Sequence, residues 1–189
     1  MRGGSRRGLH VRLLLSPAGR AAVWPRVAAS GRAVWPTGAD ALHRPVYTIA
    51  AQQDDWLEIL IYRHADSPTC DWAASDPLGA TVGVMGPGGG GRPDGVLHLF
   101  GDQTALPAIG RMLAMAPGRA VLRCAPADLE VLAGLCDIRR SDIRLSDDLL
   151  GALADVPPGH VWFAAGGEEA RAARRLLKGR GGVTAAAYW

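Results

Sequence analysis

At 189 residues, with 48% hydrophobic and 21% charged content, the chain is long enough to bury a real core and fits one domain or two small ones. No apolar run approaches the roughly 20 residues that span a bilayer, so a soluble protein with no membrane partner is expected. Residues 1–39 hold seven arginines (2, 6, 7, 12, 20, 26 and 32) and no acids, so the net charge of +3 hides a basic front, with 14 basic against 18 acidic residues after it. Such a front attracts nucleic acid, a membrane surface or a small anion, or is a solvated face.

Cys70, Cys124 and Cys136 are odd in number and lack C-x-x-C spacing. That argues against a disulfide framework or a cysteine-rich metal site and fits the reducing cytoplasm. The opening residues carry paired arginines and a short apolar patch. Arg12 interrupts it, and 11–15 is too short for the apolar core of an export signal.

In chain order, residues 9–15 (LHVRLLL) read as a strand and 16–19 (SPAG) as a turn. Trp24-Pro25 and Trp35-Pro36 each hold the residue before proline extended, which predicts short strands and loops. Residues 46–51, 56–62 and 80–85 are further strand candidates, so the chain reads as all-β to about residue 86. The glycines and prolines of 86–95 predict an irregular linker.

Beyond it the texture changes. Residues 96–108 (VLHLFGDQTALPA) run from a wholly apolar strand through a turn into a helical pattern with Ile109, Met112, Leu113 and Ala116 on one face. A strand apolar throughout is buried on both sides, as in a parallel sheet, and the free N–H groups of a helix opening after it suit a phosphate. Thr104 is the expected helix cap, with Pro107 in the first turn. Strands at 120–124, 143–145, 160–165 and 184–189 alternate with helices at 128–135, 147–153 and 168–178, the last stopped by Gly179 and Gly181. This alternation predicts a parallel sheet that binds ligands at the carboxyl ends of its strands.

The segment GDQTALPAI at 101–109 closely resembles a signature of the siderophore-interacting proteins, flavin-dependent ferric-siderophore reductases of the ferredoxin reductase-like superfamily. Arg44-Pro45-Val46-Tyr47-Thr48 resembles that family's flavin motif. His64 with Trp72 resembles its H-x-x-G-P-x-x-x-W segment, Gly86-Pro87-x-Gly89 its barrel-closing turn, 162–165 its late W-x-A strand, and Tyr188-Trp189 its terminal pair. The pieces keep the family's order from about residue 9 to the end.

The resemblance implies a β plus α/β fold: a partial FAD-binding antiparallel β-barrel over 1–92, then a Rossmann-like parallel-sheet NAD(P)-binding domain over 93–189. Tyr47 would pack on the isoalloxazine, Thr48 face the redox-active nitrogen of the flavin, and Arg44 pair with the FAD pyrophosphate. His64 and Trp72 would lie along the phosphates and adenine, with Gly86 in the closing turn. Gly101, Asp102, Thr104 and Pro107 would shape the nicotinamide side, and Trp189 would cap the flavin. Asp102 reads equally well as a carboxylate bonding its own turn.

The function implied is transfer of electrons from NADPH or NADH through FAD to Fe(III) in a siderophore, by a monomer whose partners are the ferric siderophore and the nicotinamide nucleotide. Arg12 and Arg20 are candidates to attract an anionic siderophore, and Arg123, Arg139, Arg140 and Arg144 favour NADPH slightly. Arg44 stands three residues before Tyr47 where two are usual, Ala50 stands at a common arginine position, Ser67 stands for glycine, Gln103 for glutamate, and Gly166 for a usual glutamate. Set against the family, the chain is expected to start inside the barrel, roughly 60 residues of early strands being absent either through a misassigned start or because the member is degenerate or fragmentary. The alternative from these departures is a catalytically silent nucleotide-binding remnant. A nucleic-acid binder has only the basic front in its favour, and none is expected.

Overall fold

The computed structural model describes residues 10–89, 95–116 and 118–189. The front half forms β1 (His10–Leu14), β2 (Arg26–Val27), β3 (Ala33–Val34), β4 (Val46–Gln52), β5 (Leu57–Ile59), α1 (Pro68–Ala74) and β6 (Gly83–Gly88). The back half forms β7 (Leu97–Asp102), α2 (Leu106–Met115), β8 (Arg119–Arg123), α3 (Leu129–Leu135), β9 (Asp142–Leu145), β10 (His160–Ala165), α4 (Gly167–Leu176) and β11 (Val183–Ala187). Two compact units result, one comprising described residues of 48–60 and 89–189, the other residues 10–47 and 61–88. None of the helices formed by the described residues is long and apolar enough to cross a membrane.

The first sheet is antiparallel in its β1–β6 and β4–β5 pairs, with strand order β5-β4-β1-β6. Two expectations for this half are corrected. The Gly-Pro-rich stretch does not start an irregular linker at residue 86, because β6 continues to Gly88, which pairs with His10. Pro87 is tolerated because β6 is an edge strand, and a Cβ on Gly88 would lie 2.5 Å from His10 Nε2, so a larger residue there requires the His10 ring to turn. Residues 90–94 of the expected linker lie outside the described residues. Nor is the front all-β, since α1 interrupts it. Ser67 caps that helix by accepting from the Cys70 N–H at 3.3 Å, and Pro68 fills its first turn, where a missing N–H costs nothing.

The second sheet is parallel throughout, in the order β11-β10-β7-β8-β9. Numbered from β7, that is the 3-2-1-4-5 order of a nucleotide-binding sheet, whose switch point lies between β7 and β10. All six residues of β7 are buried, as an apolar central strand demands. Their alternation divides the core. Leu97 and Leu99, with Ala120 and Leu122, meet Ile109, Met112 and Leu113 of α2 and Leu132 of α3. Phe100, Val161 and Phe163 meet Ala173 and Leu177, with Leu149 and Leu153 from the loop after β9. Each fully buried side chain of this size stabilises the fold by about 1.5–3 kcal/mol.

The helix expected over 147–153 is a single 3-10 turn at Gly151–Leu153. The Asp148 carboxylate accepts from the Gly151 N–H at 2.7 Å, and the Ser146 hydroxyl donates to the Asp148 carbonyl at 3.2 Å. These short polar side chains satisfy the backbone in place of helical bonds.

Candidate functional site

The carboxyl edge of the parallel sheet is built around Asp102, the last residue of β7. Its side chain is fully buried and its Oδ1 accepts both the N–H of Thr104, at 2.9 Å, and the Thr104 hydroxyl, at 2.5 Å. Thr104 is therefore not the helix cap. Asp102 caps the 3-10 turn Gln103–Ala105 that leads into α2, because its carboxylate reaches two donors of the turn at once. Asp102 Oδ2 accepts the indole N–H of Trp189 at 2.9 Å and faces Arg123 Nη2 at 3.9 Å.

Arg123, at the end of β8, reaches past Asp102 to the first turn of α4. Its Nη1 and Nη2 donate to the two carboxylate oxygens of Glu169 at 2.6 and 2.7 Å. That bond raises the guanidinium pKa above its ordinary value; burial opposes the rise, and the charges of Glu169, Asp102 and Asp147 add to it. The Trp189 ring lies against Gly166, where a Cβ would come within 3.0 Å of it, and the Trp189 carbonyl accepts from Gly167 N–H at 2.9 Å. This contact is a physical reason for glycine, and not glutamate, at 166.

The same unit brings in β4. Thr48 is buried and its side chain lies beside Tyr188, whose ring packs edge-on against Trp162 at 6.1 Å. Tyr188 keeps part of its ring exposed, yet its hydroxyl is enclosed, and that burial raises the phenol pKa against the lowering effect of the Thr48 side chain. Arg111 of α2 donates from Nη1 to the Ile49 carbonyl at 2.8 Å. Thr48, Asp102, Thr104 and Trp189 therefore share one neighbourhood. Gly101 and Pro107 are buried beneath it as packing elements; a Cβ on Gly101 would lie 2.6 Å from that of Ala105.

Arg44, Tyr47, His64, Trp72 and Gly86 belong to the other unit. Arg44 is exposed, with its guanidinium 4.7 Å from the centroid of the Trp35 ring. Tyr47 is half-buried; burial raises its phenol pKa, while a hydrogen bond to Thr69 works in the opposite direction. Thr69 also bonds His43 Nε2 at 2.9 Å. His64 is exposed and its Nδ1 hydrogen-bonds the neighbouring Ala65 carbonyl, and Trp72 is half-buried on α1. Gly86 has φ +133°, and a Cβ there would stand 3.2 Å from the His10 carbonyl, so only glycine fits. An exposed guanidinium and a half-buried flat ring in this unit suit a ligand with an anionic part and a planar heterocycle.

The arginines singled out in the sequence take different places. Arg20 pairs with Asp40 at 2.7 Å, and Arg12 donates to the Arg44 carbonyl at 2.8 Å. Arg139 pairs with Asp137 at 3.2 Å. Arg144 lines a cleft of about 540 Å³ on one face of the sheet, with His98, Arg119, Asp142 and Asp155. Sequence reasoning passed over Glu169 and Arg111; the latter had a visible signal, as the lone charge in the apolar helix LPAIGRMLAM.

An antiparallel sheet followed by a parallel sheet with a nucleotide-binding switch point defines an FAD-domain plus α/β flavoprotein fold. Residues 3–91 match the model of the siderophore-interacting FAD-binding domain. Three solved structures share its fold. A siderophore utilization protein from T. fusca superposes with a TM-score of 0.75 at 26% identity, over 100% of this chain and 81% of that one. The siderophore-interacting protein SipS from Aeromonas hydrophila gives 0.70 at 23% identity, over 96% of this chain and 83% of that one. The siderophore-interacting protein from Acinetobacter baumannii gives 0.71 at 21% identity, over 97% and 76%. No curated protein matches the chain in sequence.

Proposed function

We propose that the protein is a ferric-siderophore reductase that draws electrons from a nicotinamide nucleotide, with residues 1–92 serving the flavin and 93–189 the nucleotide. When bound, FAD supplies the conversion of one hydride into two single-electron transfers. The chain's residues orient and shield. The Arg44 guanidinium would fork onto phosphate oxygens, the Tyr47 ring would hold the flat heterocycle, and the Thr48 hydroxyl would offer it a hydrogen bond. His64, Trp72 and Gly86 complete that side. Asp102 holds the 103–105 turn and Trp189 in place, and Thr104 and Trp189 border the approach of the nucleotide.

The observation that carries this reading is the contact of the buried Thr48 side chain with the Tyr188 hydroxyl. It joins the flavin-motif threonine to the carboxyl edge of the nucleotide-type sheet, as hydride transfer between two bound rings requires. The substrate side follows from ion chemistry. Fe(II) binds hard oxygen chelators less strongly than Fe(III), so reduction releases the metal. Arg12 is the candidate to attract an anionic chelate; Arg20 is already paired with Asp40. The reading places the protein in the cytoplasm, which its three free cysteines suit.

The test is the visible spectrum of the purified chain after incubation with FAD and desalting, followed by anaerobic addition of NADH or NADPH. Retained yellow colour that bleaches with the nucleotide and returns with a ferric chelate is expected. Retained colour that no nucleotide bleaches would overturn the reductase reading, and loss of the colour on desalting would leave the nucleotide-binding remnant.

A further inference from the structure

Arg123 is the last residue of the second strand of the nucleotide-type order, the place where such sheets meet the adenosine ribose. There a carboxylate selects a free 2′-hydroxyl by accepting its proton, and a free arginine selects a 2′-phosphate. An arginine alone at this place reads as a preference for the phosphorylated nucleotide. The tertiary structure reverses that sign.

Both terminal nitrogens of Arg123 are held by the two oxygens of Glu169, at 2.6 and 2.7 Å, in the bidentate geometry that makes such pairs strong. The guanidinium side chain is 32% exposed and the carboxylate 24%, so water screens the pair only partly. Asp102, 1% exposed, lies 3.9 Å from the same guanidinium, and the charge of Asp147 also reaches it. Three carboxylates thus surround one cation, leaving a local field that repels an added dianion. For Arg123 to turn the two-pronged end that grips Glu169 onto a phosphate it must leave that carboxylate, which then stands half-desolvated without its partner. A ribose hydroxyl demands none of this, since it donates to the remaining lone pairs of Glu169 with the ion pair intact.

We propose that Glu169, by its two-pronged hold on Arg123 beside Asp102, makes this site select nicotinamide nucleotides that lack a 2′-phosphate, so that NADH and not NADPH is the electron donor. Glu169 is a specificity-determining residue that acts partly through the arginine it occupies. The inference rests on the nicotinamide-dependent reading above.

The test is calorimetric titration of the purified full-length chain with NAD+ and with NADP+, which reads affinity without turnover. The wild-type chain is expected to bind NAD+ at least about tenfold more tightly than NADP+. Glu169→Gln keeps a hydrogen-bonding side chain but removes the charge; it is expected to tighten NADP+ about tenfold, and the gain is expected to vanish in Arg123→Met/Glu169→Gln. Equal or tighter binding of NADP+ by the wild-type chain overturns this inference alone, whether or not the variants fold. A folded Glu169→Gln chain with unchanged selectivity also overturns it. Binding of neither nucleotide overturns the nicotinamide reading itself, and this inference with it.

Discussion

The indole N–H of Trp189 donates to Asp102 Oδ2 at 2.9 Å, tying together residues 87 positions apart. Asp102 ends the central strand, while Trp189 follows the strand at the far edge of the sheet, so the bond spans β10 and closes the carboxyl edge of the sheet. The oxygens of one carboxylate serve Thr104 twice and Trp189 once, and stand beside Arg123.

Removing that carboxylate leaves several donors without a partner in a fully buried place. Asp102→Ala is expected to lower stability by about 2–4 kcal/mol, measured by urea unfolding followed by far-ultraviolet circular dichroism. Trp189 is 66% exposed, so Trp189→Phe, which removes the indole donor and shortens the ring, is expected to cost under about 1 kcal/mol. The double variant should then cost less than the sum of the two single changes. Strict additivity would show that the indole bond contributes nothing.

Two glycines are expected to respond in opposite directions to alanine. At Gly101 the new methyl meets the Ala105 methyl at 2.6 Å and the Ala164 carbonyl at 3.1 Å, neither of which can turn away. Gly101→Ala should destabilise by about 1–3 kcal/mol. At Gly134, inside α3 and exposed, nothing lies within 4 Å, so Gly134→Ala should stabilise by about 0.5–1 kcal/mol through helix propensity. Denaturant midpoints of the two variants, compared at equal slope, check both signs.

Arg44 carries no ion pair among the described residues and rests on the Trp35 face, where it is free to meet phosphate. Arg44→Ala is expected to weaken FAD retention about tenfold, and Arg44→Lys to restore only part of it, because a point charge cannot fork onto two oxygens. Equilibrium dialysis against FAD measures this, and unchanged affinity in Arg44→Ala would remove Arg44 from the flavin site.

Burial holds His43 and His160 below the ordinary 6.5 in the folded protein. Protonation therefore favours the unfolded chain, and the stability these rings confer is present above about pH 6.5 and lost as pH falls toward their lowered folded values. His43→Gln keeps a partner for the Thr69 hydroxyl and should flatten the stability curve between pH 7 and 5. A curve parallel to wild type in that window would show that His43 does not contribute to acid sensitivity.

Much of the fold was legible locally. The apolar run at the head of β7, broken only by His98, announced a strand covered on both faces, and the alternation after it announced a parallel sheet. The Ser67-Pro68 pair also carried the signal of α1, but the surrounding strand candidates masked it. Asp102 was readable as a turn carboxylate because its Thr104 partner is two residues away. In contrast, the 147–153 segment had helical composition and did not become a helix, since Asp148 and Ser146 bond the loop backbone.

Local sequence alone was enough for the class of fold, the strand-turn-helix around Asp102, and the resemblance to a flavin motif at Arg44, Tyr47 and Thr48. These depend on side-chain periodicity, on turn chemistry within a few residues, and on motifs carried by neighbouring positions. The packed chain adds that Trp189 binds Asp102, that Thr48 meets Tyr188, and that Arg123 is held by Glu169 instead of standing free. Those partners lie on different strands and helices, and nothing in the local pattern of either residue specifies the other. Sheet order and register bring them within bonding distance, and that proximity turns an apparent phosphate-binding arginine into one half of an ion pair.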